Sequence, residues 1–288
     1  MLNLQNVTKK FTGDLFTQDF VAVNDLSFNL KTESVTGFLG ANGAGKTTTL
    51  KMIMDFIRPS SGDIVFDSIL GTNQMEIFRN IGFLPERPYF YPNLTGREFC
   101  HYLGKVSGMN TGEIKRNIDK WAPIFKIEFA LDRTIKNYSK GMLQRVGFLV
   151  TLLHDPKLII LDEPLSGLDP IGRKELKSVI KDINNEGKTV FFSSHIVSDV
   201  EEVCSDVIFI KNGSLFYEGS VDKIIRENSK NDFTITAFDS NDLKHIFEVN
   251  LNEKDKKISS LMNEGFSIYS IEEEKPTLEE IVYEVKSK

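Results

Sequence analysis

A chain of 288 residues with a formal net charge of −6 and a pI near 5.4 has room for one large domain or a domain with an appendage, and for an ample core. The acidic balance argues against a nucleic-acid binder that works through a broadly basic surface, and no run approaches the ~20 apolar residues that span a bilayer. Two cysteines far apart and only four histidines leave no C-x-x-C spacing and no Cys/His cluster, so free thiols in a reducing compartment are expected.

Met1 to Lys10 alternates polar and apolar residues and leads straight into strand-like sequence, unlike a signal peptide, so a cytosolic location is expected. The stretch "TGDLFTQDF", 12–20, reads as an extra loop between the first two strands. The run "SVTGF", Ser34 to Phe38, is short, apolar and β-branched enough for a buried parallel strand that ends at Gly40. From Gly40 to Thr47 the chain spells G-x-x-x-x-G-K-[ST], in which glycines let backbone amides turn into one concavity without a Cβ in the way. A helix beginning near Lys46 adds unpaired N–H groups and a positive dipole end, which suits polyphosphate. Gly40, Asn42, Gly43, Ala44, Gly45, Lys46, Thr47 and Thr48 form the candidate phosphate-binding set. Lys46 is the point charge for the β- and γ-phosphates, and the Thr47 hydroxyl is a candidate ligand of Mg²⁺.

Further strand-like runs at 81–84, 157–161, 188–194 and 206–210 alternate with helical segments, the pattern of a largely parallel α/β sheet. Residues 95–153 interrupt that alternation with sequence that is almost wholly helical, opened by a capping box at Thr95 and Glu98. Within it, Ser139 of "NYSKGMLQR" is a candidate N-cap for a helix to about Leu153, hence a second anion-binding helix end. "KLIILDEP", Lys157 to Pro164, is a buried strand ending in two carboxylates at the edge where ligands bind in open α/β sheets. Asp162 is the candidate to hold Mg²⁺ through water, and Glu163 the candidate to polarise a water attacking the γ-phosphate. "FFSSH" sets His195 at the end of the next apolar strand. Alone it would read as a structural histidine, but beside Glu163 it can meet developing charge on the phosphate.

"KNGS", Lys211 to Ser214, is an Asn-Gly hairpin signal. After it, "GS" at 219–220 opens a more acidic section in which residues 221–288 hold 10 of the 35 Lys and Arg but 15 of the 41 Asp and Glu. There "DFTITAF", a helix-like 241–247, a charged 253–264, "GFSIYSI" and "PTLEEIVYEV" with its Thr277/Glu280 capping box read as a small α+β unit.

Taken together, these residues resemble the ATP-binding subunit of an ABC transporter. "GANGAGKT" matches Walker A, "YSKGMLQ" the signature, "LIILDE" Walker B, "SGLD" the D-loop and His195 the switch histidine, in the right order over roughly residues 1–219. The resemblance implies a P-loop NTPase cassette with a largely parallel sheet, an antiparallel β part and an inserted helical subdomain at about 95–153. Residues 220–288 then form the small accessory α+β domain. It further implies ATP and Mg²⁺ as cofactors and head-to-tail closure of two cassettes. In that arrangement Ser139, Lys140, Gly141 and Met142 face the nucleotide of the other copy, and Ser166, Gly167, Leu168 and Asp169 line the seam. Phe11, by its place in "TKKF", is the aromatic that would stack on adenine, with Phe16 and Phe20 as alternatives created by the 12–20 insertion. Three departures stand out from the common L-S-G-G-Q spelling: Tyr138, Lys140 and Met142 replace Leu, the first Gly and Gln. Glu86, after "GFLP", occupies the usual glutamine position and joins Thr47 and Asp162 as a candidate metal ligand.

The spellings "YSKGM", "LPE" and "PTLEEIV" resemble cassettes that pair with ABC-2-type permeases, many of them exporters. The implied protein is a homodimeric ATPase on the cytoplasmic face of the membrane that powers a separate integral-membrane permease and binds no nucleic acid. Two alternatives are a soluble ABC ATPase of translation or repair, whose tandem cassettes or long coiled coil are missing here, and a non-hydrolysing nucleotide-gated module, against which Glu163 and His195 argue.

Overall fold

The structure, a computed structural model, describes residues 1–13, 19–229 and 232–286. It divides into two compact units, Met1–Gly219 and Ser220–Lys288.

The first unit opens with β1 (Leu2–Phe11), β2 (Phe20–Leu30), β3 (Val35–Leu39), α1 (Lys46–Ile53), β4 (Ser61–Phe66), α2 (Gln74–Arg79) and β5 (Ile81–Leu84). Three helices follow, α3 (Gly96–Val106), α4 (Thr111–Ile124) and α5 (Lys140–Leu152). The chain then returns through β6 (Leu158–Leu161), α6 (Pro170–Asn185), β7 (Thr189–Ser194), α7 (Val197–Val203), β8 (Asp206–Lys211) and β9 (Ser214–Ser220). Strands β5, β6, β7, β3, β8 and β9 form one sheet in that order, parallel from β5 through β8. Every residue of β3, β6 and β7 is buried, which is why these strands are written as continuous apolar runs rather than alternating ones. The Asn212-Gly213 turn, with φ of 51° and 81°, closes the β8–β9 hairpin through the left-handed conformations that such two-residue turns require.

A second, antiparallel sheet of order β2-β1-β4 lies against this one. Phe28 of β2 meets Phe38 of β3 and Phe191 of β7 with ring centroids 5.2 to 5.9 Å apart across the trio. Phe38 and Phe191 are fully buried, each contributing roughly 1.5–3 kcal/mol by area alone, so the seam between the sheets is a major part of the core. The loop between β1 and β2 falls largely on residues 14–18, outside the described residues.

The helical layer has its own terminal chemistry. Thr95 and Glu98 exchange hydrogen bonds at the start of α3, as do Asn110 and Glu113 at the start of α4. Each such reciprocal pair satisfies two otherwise unpaired helix donors. Ser139 caps α5 by accepting from the Met142 N–H at 3.3 Å.

The second unit contains α8 (Val221–Glu227), β10 (Asp232–Phe238), β11 (Lys244–Asn250), α9 (Leu251–Asn263), β12 (Ser267–Glu274) and α10 (Leu278–Lys286). Its antiparallel sheet runs β11-β10-β12, with Ile235, Ala237 and Leu261 fully buried. The helix expected over 241–247 is not there. Residues 244–250 are a strand that pairs with β10 along its whole length and alternates exposed and half-buried positions. At the start of α10, the Thr277 N–H donates to Glu280 at 2.7 Å and the Glu280 N–H to the Thr277 hydroxyl at 3.2 Å.

The large apolar cluster around Phe38, Leu50 and Phe191 draws all its residues from before Lys211. A chain ended at Ser220 is therefore expected to stay soluble and to unfold in a single cooperative transition. Circular dichroism and a thermal melt of that shortened chain check this, and an insoluble or non-cooperative product would mean that residues 221–288 complete the core.

Candidate functional site

The site is built where β3, β6 and β7 end side by side. The chain leaves β3 at Gly40 and enters α1 through Gly45, whose φ of 105° and 2.5 Å approach of an added Cβ to the Ala22 carbonyl leave room only for glycine. The Lys46 side chain folds back over this loop, is 6% exposed, and donates to the carbonyls of Gly40 at 2.8 Å and Ala41 at 3.4 Å. Its Nζ lies 3.2 Å from Glu163 Oε1. The other oxygen of the same carboxylate, Oε2, accepts from His195 Nδ1 at 2.9 Å. Glu163 thus joins the loop after β3 to the ends of β6 and β7.

Beneath this bridge lies a buried hydroxyl–carboxylate network. Asp162 Oδ1 accepts from Ser193 at 2.7 Å and from Thr47 at 3.3 Å. The Ser193 oxygen in turn accepts the Glu163 N–H at 2.9 Å. That last bond holds Glu163 at a φ of 49°, a left-handed conformation that costs a non-glycine residue about 1 kcal/mol or more, and the turn closes as the Ser166 N–H reaches the Glu163 carbonyl at 3.1 Å. Ser193 was not singled out in the sequence. Its signal was a pair of small polar residues, Ser193 and Ser194, closing a fully buried strand after Val190, Phe191 and Phe192.

Asp162 and Ser193 are buried, and Lys46, Thr47, Glu163 and His195 face a cleft of about 430 Å³, within the range of small-ligand sites. Its lining includes Asn42, Gly43, Gly45, Lys46, Thr47, Thr48, Glu86, Glu163, Ser166 and His195. Gly40 and Ala44 are buried beneath it as backbone support. Phe11, the stacking residue read from "TKKF", is not among the described residues that line this cleft. It is 42% exposed and carries the Lys9 ammonium 5.1 Å from its ring centre. Its cross-strand partner Phe20, together with Ala22, borders the cleft instead, and Phe16 lies outside the described residues.

A second cleft, of about 630 Å³, is lined by Ser139, Lys140, Gly141, Met142, Gly167, Leu168 and Asp169 together with Lys126 and Arg145. The four residues 166–169 therefore divide between the two clefts, Ser166 on the first and the rest on the second. Gln144 ties α5 to the end of β6 by donating to the Pro164 carbonyl at 2.6 Å. Asp169 caps α6 by accepting from the Gly172 N–H at 2.7 Å.

The oxygen donors near the first cleft are the Thr47 hydroxyl and Glu86 on its lining and, buried behind Thr47, the Asp162 carboxylate that Thr47 bonds. Among the described residues no cluster of three or more His, Cys, Asp or Glu is gathered for a metal, and a magnesium-type site needs only one or two protein oxygens beside phosphate and water. Burial pushes the Asp162 carboxyl above its ordinary range, the Glu163 and Glu86 charges add to that, and the Ser193 and Thr47 hydrogen bonds oppose it. Crowded negative charge of this kind is what a hard cation relieves. Without the cation, ionised Asp162 costs stability above its raised pKa and nothing below the unfolded value, because the folded chain holds the proton to higher pH. Asp162→Asn is accordingly expected to raise the Tm of nucleotide-free, metal-free protein by a few degrees at neutral pH. The gain should vanish as pH falls below the ordinary aspartate range, which melts at a series of pH values would check.

Residues 23–166 match the ABC transporter family. The chain is 37% identical over 253 residues to the bacitracin transport ATP-binding protein BcrA of Bacillus licheniformis, covering 87% of this chain and 76% of that one. It is 37% identical over 217 residues to the uncharacterized ABC transporter ATP-binding protein sll0415 of Synechocystis sp., covering 74% of this chain and 61% of that protein's length. Among solved structures, one described as the ATP binding subunit of an ABC transporter has a TM-score of 0.67 at 27% identity, covering 79% of this chain and 92% of the other. With the P-loop, the acid pair after β6 and the histidine after β7 gathered on one sheet edge, and with relatives at this identity along most of its length, the chain belongs to the ABC transporter ATP-binding family.

Proposed function

We propose that this chain binds and hydrolyses ATP as a homodimer and thereby powers a separate integral-membrane permease of the ABC-2 type, working as an exporter from the cytoplasmic face of the membrane. The observation that carries the reading is the Glu163 carboxylate held between Lys46 at 3.2 Å and His195 at 2.9 Å at the mouth of the P-loop cleft. A structural acid at a strand end has no need of a buried lysine on one oxygen and an imidazole on the other.

In this reading residues 1–219 are the ATP-binding domain and 220–288 an accessory domain. The loop amides of 40–45 and the N-terminus of α1 cradle the phosphates, and Phe20 borders the base. Lys46 is already neutralised by Glu163, so arriving phosphates take over the lysine and leave the carboxylate free to orient a water. His195 stays hydrogen-bonded to Glu163 and keeps it aimed. Thr47, Asp162 and Glu86 would hold Mg²⁺, which when bound supplies charge neutralisation of the phosphates. Residues 139–142 and the P-loop line separate clefts of one chain, so a second copy is needed to bring a signature over each nucleotide, and Ser166 to Asp169 would follow that contact.

Among the described residues no helix is long and apolar enough to cross a membrane, and a relative named for bacitracin transport supports a transport role over the soluble alternative. Co-purification of a membrane protein with a tagged copy would favour the permease partnership. Recovery of ribosomal or DNA-repair proteins instead would sink it.

Two variants separate binding from chemistry. Glu163→Gln is expected to keep ATP affinity, to accumulate an ATP-bound dimer on gel filtration, and to slow phosphate release on the order of 10²–10³-fold. Lys46→Ala should lose nucleotide affinity itself, because a charge-assisted contact is removed from the ground state as well. Continued hydrolysis at the parental rate by the first, or unchanged affinity in the second, would overturn the assignment.

Glu86 lines the cleft yet its side chain remains 46% exposed, with Arg87 3.9 Å away. A carboxylate here offers the cation a harder oxygen than a carboxamide would. Glu86→Gln is therefore expected to hydrolyse ATP with a shifted Mg²⁺ requirement, and Glu86→Ala to weaken coupling to the permease as well. Magnesium titrations that superimpose for parent and both variants would show that Glu86 serves neither purpose.

A further inference from the structure

The most deeply buried acid outside the phosphate cleft is Asp199, in the first turn of α7, four residues after His195. Its side chain is 2% exposed, and among the described residues neither carboxylate oxygen accepts a well-directed hydrogen bond. Its charge is answered instead from α6. Lys177 Nζ lies 2.9 Å from Oδ1, off the direction a hydrogen bond needs, and an Arg173 nitrogen lies 3.7 Å from Oδ2. Lys177, itself buried, also reaches Glu202 one turn further along α7. Asp199 borders a small cavity of about 10 Å³, bounded further by Glu163, Leu165, Ser166, Ser193 and Ser194, which is about the space of one water. One buried charge, four residues after His195, thus meets the helix that follows residues 166–169 and belongs to a residue that shares a small cavity with Glu163 and Ser166.

We propose that Asp199 is a positioning residue: through Arg173 and Lys177 it fixes α7 to α6, so that His195 and the 166–169 segment keep a common frame and move together. The reasoning is mechanical. His195 itself sits on a short turn, 39% exposed, with Glu163 as its hydrogen-bond partner. Three residues of α7 onward, the charge cluster supplies an anchor that surface contacts cannot, because buried ion pairs hold one geometry and are barely screened. Whatever shifts residues 166–169 pulls α6 from its first turn, and Asp199 passes that displacement to His195. This inference rests on the hydrolytic reading above for its effect on rate, but not for its effect on the imidazole.

The test uses Asp199→Asn, which keeps the shape and leaves Lys177 its Glu202 partner, and Lys177→Met, which keeps the apolar stem. A control, Lys120→Met, breaks the exposed pair with Glu186 at the end of α6 and the contact of the Lys120 ammonium with the Trp121 ring, both away from the Asp199 cluster. For both cluster variants the expected result is nucleotide affinity within about twofold of the parent and a kcat at least about tenfold lower, since small misplacements of a catalytic group are costly. The double variant should be no slower than the worse single one, because both act through one contact. The imidazole resonance of His195, assigned by its loss in His195→Ala, should shift in both and stay put in the control. Affinity and kcat falling together, multiplicative losses, or an unmoved His195 resonance would each overturn the proposal. If Asp199→Asn does not fold, Lys177→Arg against Lys177→Met decides it, the arginine being expected to restore kcat and the parental resonance. A parent that releases no phosphate would sink the hydrolytic reading alone. The His195 resonance would then stand as the deciding readout for Asp199.

Discussion

An ammonium on a lysine that is 6% exposed is costly to bury without an opposite charge beside it, and that requirement organises the site around the contact between Lys46 and Glu163. The two residues come from elements on β3 and β6, which are not neighbours: β7 lies between them in the sheet. Two strand spacings of ~4.8 Å have to be bridged. The length of the lysine side chain crosses the gap from above, folding back over the Gly40 and Ala41 carbonyls. Below, β7 must end in something small, and it ends in Ser193 and Ser194, the first of which bonds Asp162 and Glu163 at once. The parallel order β6-β7-β3 is thus a condition for the chemistry, since it sets carboxylate, hydroxyl and ammonium at one edge in that sequence.

The same geometry explains why the backbone turns left-handed at Glu163. Continuing the extended strand would carry its carboxylate past the cleft, whereas the turn redirects it toward Lys46 and delivers Ser166 to the cleft wall. Strain at one residue is tolerated because the Ser193 hydroxyl and the 163–166 turn hold it in place. Immediately beyond, Gly167 at a φ of 69° carries the chain to the second cleft. A four-residue segment thus borders both clefts.

Much of this was legible because buried parallel strands announce themselves as unbroken apolar runs, and because "GANGAGKT", "LIILDE" and "FFSSH" end such runs with chemistry that folding alone does not call for. What escaped was whatever depends on which side a strand shows. Phe11 and Phe20 are cross-strand partners, yet β1 carries three register shifts against β2, and no sequence pattern counts bulges. Residues 241–247 misled differently. Leu243, Ile246 and Phe247 fall at helical i, i+3, i+4 spacing, but full-length pairing with β10 outweighs that local preference. The link from Gln144 to the Pro164 carbonyl joins a helix to a strand end through tertiary packing and had no local signal at all.

The departures from the common signature spelling look less drastic once their side chains are placed. Tyr138 turns inward, is 9% exposed, and donates its hydroxyl to the Ala130 carbonyl at 2.6 Å. Burial accordingly pushes its phenol up to about 12. Its ring tip lies against Gly96, where an added Cβ would come within 2.2 Å of the hydroxyl, so Tyr138 fastens the start of α5 to the start of α3. Lys140 lies across Gly167, its Nζ occupying the space a Cβ there would need, a mobile side-chain end that could move aside, so it is the φ of 69° that favours glycine at 167. Gly141 keeps open space, its nearest neighbour to an added Cβ being the Ser139 hydroxyl at 4.0 Å. Tyr138 therefore braces α5 from behind, while Lys140 and Met142 line the same cleft as Ser139 and Gly141. Of the three altered letters only Tyr138 turns away from that cleft, and the Ser139 hydroxyl and the space around Gly141 are kept.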